Sequence, residues 1–171
     1  MAAWPVVLLL SVGIIETVLS LRWNQTYFSV GIPVFRRVLL ALDPKPEAPS
    51  PERLEAALSK SAFPPLAFRA FEAGRFAFRE KGGGLRFGYT PVMHGNITFE
   101  RTGARVEVVG LLNWFVLAFV GVTLYLALDM REPIFLLFLV GLLTLIYAIQ
   151  FGRFARVARV AVAEWSRSTG A

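Results

Sequence analysis

The stretch SVGIIETVLSLRWN, residues 11–24, decides the fold class, because it closes a long apolar run that contains a single carboxylate, Glu16. The run begins at residue 4 and ends at residue 21, which is the length of a helix that crosses a membrane. No Lys or Arg precedes the run, and no small-x-small cleavage site follows it. We therefore predict a permanent transmembrane helix over residues 4–21 rather than a cleaved signal peptide.

Two further apolar runs, residues 111–128 and residues 133–151, contain no charged side chain. Backbone groups in lipid must form their hydrogen bonds within one segment, so each run is predicted to be a helix. The composition agrees, since 56% of the 171 residues are hydrophobic and the mean hydropathy is +0.57. The sequence predicts an α+β membrane protein with three transmembrane helices and a small domain, residues 22–110, between the first and the second.

The positions of the basic residues predict the orientation. Arg22, Arg36 and Arg37 follow the first span, and four arginines follow the third span, whereas the turn between the second and third spans has one. Loops rich in Lys and Arg stay in the cytoplasm. We expect a bacterial plasma (inner) membrane protein with its N-terminus outside and with residues 22–110 and the C-terminus in the cytoplasm.

The inserted domain contains signals for one helix and several strands. Residues 43–51 are rich in proline and predict a linker. Residues 51–60 predict a helix, because Ser50 precedes them as an N-cap and Pro51 is suited to the first helical position. Residues 75–109 alternate apolar and polar side chains in two predicted β-hairpins, the first turning at KGGG. These elements predict an antiparallel sheet of four or five strands with the helix packed on its apolar face.

Two segments leave alternatives open. Residues 27–42 are apolar and β-branched, which is compatible with an interfacial helix but favours a strand followed by a short helical turn. Residues 153–165 predict a basic amphipathic helix. This helix would either lie on the inner leaflet or extend the third span and pack against the sheet.

Glu16 is the first candidate functional residue, because an ionisable group inside a span costs roughly 2.5–3.5 kcal/mol at its centre and usually faces protein or water. Tyr147, Gln150 and Asn113 are predicted at similar depths in the cytoplasmic leaflet. We predict an intramembrane polar cluster of Glu16 with Tyr147 and with Gln150 or Asn113, which clamps the helices together. Proton or ion movement and a contact with another subunit are the alternatives. Small and hydroxyl residues predict helix-packing positions on the first and third spans: Gly13, Thr17, Ser20, Gly141, Thr144, Ala148 and Gly152.

The polar face of the first predicted hairpin is the second candidate site. Arg75, Arg79 and Arg86 alternate with aromatic residues that point to the core. This face is either an ordinary solvated surface or a surface that binds anionic lipid or a partner. Nucleic-acid binding is not expected, because the aromatic side chains point away from the arginines.

Catalytic and metal-binding patterns are missing from the sequence. The chain has no cysteine and one histidine, His94, and no serine lies in a nucleophile-elbow context. We therefore predict no enzyme activity, no metal and no cofactor. The expected function is that of a non-enzymatic accessory, assembly or scaffold subunit, with the lipid bilayer and either other membrane subunits or its own copies as partners. The alternatives are a homo-oligomeric channel or transporter component and a membrane-surface lipid-binding or sensor module.

Overall fold

The computed structural model describes residues 4–43, 47–59, 65–81, 92–130 and 134–167, and these form an α+β fold of five helices and five strands. The helices are α1 (Trp4–Leu21), α2 (Gln25–Ser29), α3 (Pro51–Ser59), α4 (Trp114–Met130) and α5 (Ile134–Ser166). The strands are β1 (Pro33–Leu40), β2 (Leu66–Glu72), β3 (Arg75–Glu80), β4 (Met93–Glu100) and β5 (Arg105–Leu112). The predicted α+β class and the predicted antiparallel sheet are confirmed.

The five strands form one antiparallel sheet in the order β1-β5-β4-β3-β2. β4 and β5 form the predicted second hairpin, in which Glu100 pairs with Arg105 and Met93 pairs with Leu112. α4 begins two residues after β5 ends, so the end of the sheet at which β5 finishes adjoins the apolar helices. The short connection fixes the sheet directly under the helices.

One face of the sheet carries the main core. Phe35, Phe78, Ile97 and Val108 are buried on this face because strand residues alternate between the two faces. The second half of α5 covers them with a stripe of buried side chains at helical spacing: Phe154, Val157, Ala158, Ala161 and Trp165. α3 also joins this core through Leu54 and Leu58.

α5 is one continuous helix of 33 residues, which corresponds to a length of about 50 Å. Residues 153–165 are therefore the end of α5 rather than a separate surface helix. Their apolar stripe packs on the sheet, so of the two predicted alternatives the structure has the extension of the third apolar run. The large apolar area of the sheet explains this choice, since it would otherwise face water.

Two helices are long and apolar enough to cross a membrane: α1, and α5 over Leu136–Ser166. Only 11% of the most apolar window of each is buried within the protein, whereas a core helix of a soluble domain would be mostly covered. α4 is also apolar, but it is shorter, with 17 residues. Length and hydropathy thus support two of the three predicted spans.

The strand pairing differs from the prediction around β3. β3 pairs with β2 on one side, from Leu66↔Glu80 to Glu72↔Arg75, and with β4 on the other. The strand predicted to return from KGGG, together with Arg86, lies outside the described residues. β2 was not predicted as a strand, because its sequence LAFRAFE alternates weakly. Residues 27–42 contain the end of α2 and all of β1, so the short helical turn precedes the strand instead of following it.

Candidate functional site

Glu16 lies where α1, α2 and α4 meet, and only 7% of its surface is exposed. Its Oε1 accepts a hydrogen bond from the Tyr27 hydroxyl at 2.7 Å and from the backbone N–H of Trp114 at 2.9 Å. Its Oε2 accepts from the backbone N–H of Phe115 at 2.8 Å. Both carboxylate oxygens are therefore engaged.

The two backbone donors identify the role of this carboxylate. Trp114 and Phe115 begin α4, and the first N–H groups of a helix have no partner within the helix. A negative charge also interacts favourably with the positive end of the helix dipole. Glu16 thus caps α4 from a neighbouring helix, while Asn113 precedes α4 and its carbonyl accepts from the N–H of Val116 at 3.1 Å.

Tyr27 reaches Glu16 because the chain turns sharply after α1. Trp23 has a positive φ of 54°, and the Asn24 side chain caps α2 by accepting from the Tyr27 N–H at 2.9 Å. The short helix α2 then directs the Tyr27 ring back under α1, where it is buried. Burial raises the pKa of the Tyr27 hydroxyl, and the Glu16 charge and hydrogen bond add to this effect. Tyr27 therefore remains a proton donor to Glu16.

His94 connects the sheet to the same site. Its Nδ1 lies 2.8 Å from Asn113 Oδ1, its Nε2 lies 3.0 Å from the Tyr27 carbonyl oxygen, and its ring stacks on the Tyr27 ring at 4.1 Å. Burial lowers the pKa of His94, against the raising effects of its two hydrogen bonds and of the Glu16 charge. The neutral ring has one N–H, and the Tyr27 carbonyl only accepts, so we assign the proton to Nε2. Nδ1 then accepts from Asn113 when the side-chain amide is turned so that its NH₂ group, instead of Oδ1, faces the ring.

We call Glu16, Tyr27, His94 and Asn113 the junction network. It joins α1, α2, β4 and the start of α4 through consecutive hydrogen bonds. Two of its residues, Tyr27 and His94, were not members of the predicted polar cluster. Glu16 and Asn113 therefore lie at one site, as predicted, but the hydrogen-bond partners of Glu16 are the Tyr27 hydroxyl and two backbone N–H groups.

Tyr147 and Gln150, the other members of the predicted cluster, bind the sheet instead. The Tyr147 hydroxyl donates to the Val34 carbonyl at 2.8 Å. The buried Gln150 Oε1 accepts from the N–H groups of Val92 and Met93, both at 3.0 Å. α5 lies on the opposite face of the sheet from α2, so these side chains meet strand ends rather than Glu16. This is a correction to the predicted cluster, and its physical reason is that unpaired strand-end groups need partners.

The predicted helix-packing positions divide between the two helices. On α1, Gly13 lies against Phe115, whose ring would be 3.2 Å from an added Cβ, and the Thr17 hydroxyl donates to the Gly13 carbonyl at 2.7 Å. Ser20 is half-buried. On α5, an added Cβ at Gly141 or Gly152 would meet no atom within 4 Å. All four predicted packing residues on α5 are exposed: Gly141, Thr144, Ala148 and Gly152.

The predicted arginine face is engaged within the chain. Arg75 forms an ion pair with Glu72 at 3.2 Å. The Arg79 guanidinium lies 4.8 Å from the centre of the Trp23 ring, and partial burial lowers its pKa. Arg86 lies outside the described residues. Stacking on Trp23 fixes Arg79 beside the end of α1, so the two described arginines do not form one open cationic surface.

Sequence reasoning missed Tyr27 and the use of His94. One local signal was available, because Asn24 precedes QTYFS as an N-cap residue and predicts the turn that carries Tyr27. No local signal joins Tyr27 to His94, which are 67 residues apart. Among the described residues, no group of His, Cys, Asp or Glu side chains has the arrangement of a metal site.

A small cavity lies between the junction network and α5. Its volume is about 10 Å³, and its lining includes Arg79, His94 and Gln150. A cavity of this size holds about one water molecule. The space beside His94 is therefore too small for an organic substrate.

Comparison with known proteins gives no relative from which a function could be transferred. No protein-family model matches the sequence, and neither a curated protein nor a solved structure matches the chain. The residues themselves therefore carry the functional argument. What they form is a set of buried hydrogen bonds that hold apolar helices and a sheet in one fixed arrangement.

Proposed function

We propose that this protein is a non-enzymatic accessory, assembly or scaffold subunit of a membrane complex. The observation that carries the proposal is the junction network, in which buried polar side chains bond to one another and to helix and strand ends. Such a network positions a rigid sheet under the membrane helices. A rigid, membrane-fixed sheet suits a protein that holds other subunits.

The proposal includes α4 as a third membrane span. Three contacts support an antiparallel hairpin of α1 and α4: Trp4 meets Tyr125 with ring centres 5.0 Å apart, Gly13 faces Phe115, and Glu16 caps Trp114. α4 also exposes apolar side chains along its length, among them Leu117 and Leu128. A helix that accompanies α1 along its whole length and remains apolar on its outer side fits a lipid environment.

The proposed orientation places the sheet in the cytoplasm and the N-terminus outside. Arg22 directly follows α1, and Arg153 follows the last exposed apolar residues of α5. Both arginines lie on the sheet side of the apolar helices. Basic residues on this side favour the cytoplasm.

The structural role of the polar residues favours a scaffold over a reaction. Both oxygens of Glu16 and both ring nitrogens of His94 have hydrogen-bond partners within the chain. The space beside His94 accommodates about one water molecule. A general acid or base needs access to the group that it protonates or deprotonates.

The test is the mass of the particle extracted from its native membrane in mild detergent, with every co-purifying chain identified. We expect a hetero-complex of fixed composition. Two variants of exposed α5 positions are compared for the mass of this particle. Ala148→Leu puts a larger side chain among the small residues of α5 that were predicted as packing positions, and Leu145→Phe makes a similar enlargement at an exposed apolar position. A monomer would contradict the proposal, and a symmetric homo-oligomer would replace it by the channel hypothesis.

A further inference from the structure

The two edges of the sheet differ in how they are protected. β2 is covered by α3, and the Glu55 carboxylate on α3 accepts the outward-pointing N–H of Phe68 at 2.9 Å. The Lys81 ammonium forms an ion pair with the same carboxylate. β1, at the opposite edge, has no strand beyond it among the described residues.

The backbone of β1 presents a row of hydrogen-bonding groups at this edge. The Ala41 N–H donates to the Ala104 carbonyl of the β5 side at 2.8 Å. In an antiparallel edge strand, the backbone N–H and C=O groups of alternate residues bond to the same neighbour. The backbone groups of Phe35, Arg37 and Leu39 therefore also point towards β5. The N–H and C=O groups of the residues between them point away from the sheet: Arg36, Val38 and Leu40.

Beyond Arg36, the side chains of this row and of Leu42, just after the strand, are apolar and exposed. Val38 is 46% exposed, Leu40 is 66% exposed and Leu42 is fully exposed. Proteins usually protect an open edge with charges, prolines or a covering element, because an exposed apolar edge recruits other strands. β1 carries two such charges, Arg36 and Arg37, and a proline at its start, but no described element covers its outer side, so Val38 and Leu40 stay accessible to an extended segment.

The charges around the edge specify the kind of segment. Arg36 and Arg105 lie on the face that carries Val38 and Leu40, and Arg37 lies on the other face. Glu107 is the acidic residue on β5 next to them, and it forms an ion pair with Arg36 at 2.5 Å. Arginines on both faces outnumber this carboxylate, so acidic side chains on either face of an added strand would find a positive partner.

A second copy of the chain does not fit this edge. β1 leads away from the membrane helices and β5 leads back into α4, so the strands run between the membrane side and the far end of the sheet. Antiparallel pairing of two β1 strands would place the two sets of membrane helices at opposite ends, which one bilayer does not allow. Parallel pairing about a two-fold axis along the membrane normal would bring like backbone groups opposite each other.

We propose that the outer edge of β1 binds an extended, acidic segment of another subunit, which adds to the sheet as a sixth strand. This inference rests on the proposed function and specifies how the partner binds. Main-chain hydrogen bonds would hold the segment, Val38 and Leu40 would cover its apolar side chains, and the arginines would select acidic ones.

The experiment uses the full-length chain in its native membrane with a photo-crosslinking residue, p-benzoylphenylalanine, at position 40. The yield of the adduct is compared between Val38→Pro and Val38→Thr. Proline removes the outward N–H at an edge position that tolerates it, whereas threonine keeps the N–H and also makes the side chain more polar. We expect Val38→Pro to lower the yield about tenfold, as the loss of a backbone hydrogen bond predicts, and Val38→Thr to keep most of it.

Charge reversal gives a second matched pair. Arg37→Glu on the open edge should lower the yield, while Arg69→Glu, an exposed arginine on the covered strand β2, should leave it unchanged. The crosslinked peptide should come from one other protein and contain acidic residues. Thermal unfolding of each variant in the same detergent verifies that the fold is retained.

Three outcomes would overturn the inference: no adduct, an adduct with a second copy of the chain, or an adduct whose yield is equal in Val38→Pro and Val38→Thr. The native mass separates this failure from failure of the proposed function. A hetero-complex that persists in Val38→Pro removes only the β1 edge as its binding site. A wild-type monomer removes the proposed function itself.

Discussion

At the scale of single residues, Glu16 satisfies three donors that come from two different elements: one hydroxyl and two backbone N–H groups. A carboxylate is suited to this position, because it offers two oxygens and several lone pairs without contributing a donor of its own. The buried charge is stabilised by the hydrogen bonds and by the start of α4. Glu16 therefore lies in the apolar helix α1 because the first backbone N–H groups of α4 require an acceptor there.

Replacing Glu16 by alanine should destabilise the fold by about 2–4 kcal/mol, because three buried donors lose their acceptor. Glu16→Gln should cost less, since the amide oxygen still accepts from Tyr27 and Trp114 while the amide nitrogen faces the Phe115 N–H. The free energy of unfolding in detergent micelles measures both effects. Thr17→Ala, on an exposed side of the same helix turn, is the control and should change stability by a small fraction of this amount.

His94 should make stability depend on pH. Burial lowers its pKa in the folded state, whereas an unfolded histidine binds a proton near pH 6.5. The unfolded state therefore binds more protons as the pH falls below about 7, so the free energy of unfolding should decrease with falling pH, by at most about 1.4 kcal/mol per pH unit. This contribution is complete above the unfolded pKa and is lost on acidification.

The measurement is the free energy of unfolding between pH 7.5 and pH 5.5, for wild type and His94→Gln. Glutamine has a donor and an acceptor for the same two partners but no titration in this range. We expect a flatter profile in the variant. An equal slope in both proteins would show that other groups cause the dependence.

At the scale of elements, the contact between β3 and β4 depends on a missing side chain. Gly95 lies opposite Phe78 in the register, and a Cβ at position 95 would lie 2.1 Å from the nearest atom of the Phe78 ring. The ring occupies the space over the glycine and packs on Phe154 of α5, with ring centres 4.8 Å apart. A glycine in this strand thus allows the sheet and α5 to approach.

Gly95→Ala should destabilise the protein by about 1–3 kcal/mol or more, because the Phe78 ring has to move within a packed core. Gly121→Ala on α4 is the matched control, since an added Cβ there meets no atom within 4 Å. Alanine is the better helix former, so the control should be neutral or slightly stabilising. Thermal unfolding of both variants in one detergent compares them, and equal melting temperatures would contradict the packing argument.

At the scale of the whole molecule, α5 joins the apolar helices to the sheet without a break. Its first half exposes apolar side chains, and its second half completes the sheet core. Tyr147 and Gln150 lie where the two halves meet and bind β1 and β4. The sheet is therefore held from both faces, by α5 on one and by the junction network on the other.

The proposed orientation is testable because the chain has no cysteine. Leu42→Cys, a fully exposed position at the sheet, should react with a membrane-impermeant maleimide only after the cells are opened. Asp129→Cys near the end of α4 should react in intact cells. Labelling of both positions in intact cells, or of neither, would contradict three spans with the N-terminus outside.

The sequence by itself determined the elements whose signal is local. The apolar runs around Glu16 and before Arg153 predicted the long helices, Ser50 and Pro51 predicted α3, and the alternation over residues 96–109 predicted the β4–β5 hairpin. These patterns are readable because burial of one helix face or one strand face leaves a fixed period along the chain.

Only the tertiary structure decided which polar groups meet. Tyr147 was a reasonable partner for Glu16 at similar depth, yet it binds Val34, while Tyr27 and the first N–H groups of α4 bind Glu16. The pairing of β3 with β2 was likewise undetermined by the sequence. The partners in these hydrogen bonds are separated by between 11 and 113 positions along the chain. Such a bond leaves no periodic pattern in the sequence, because it depends on how the sheet and the helices pack.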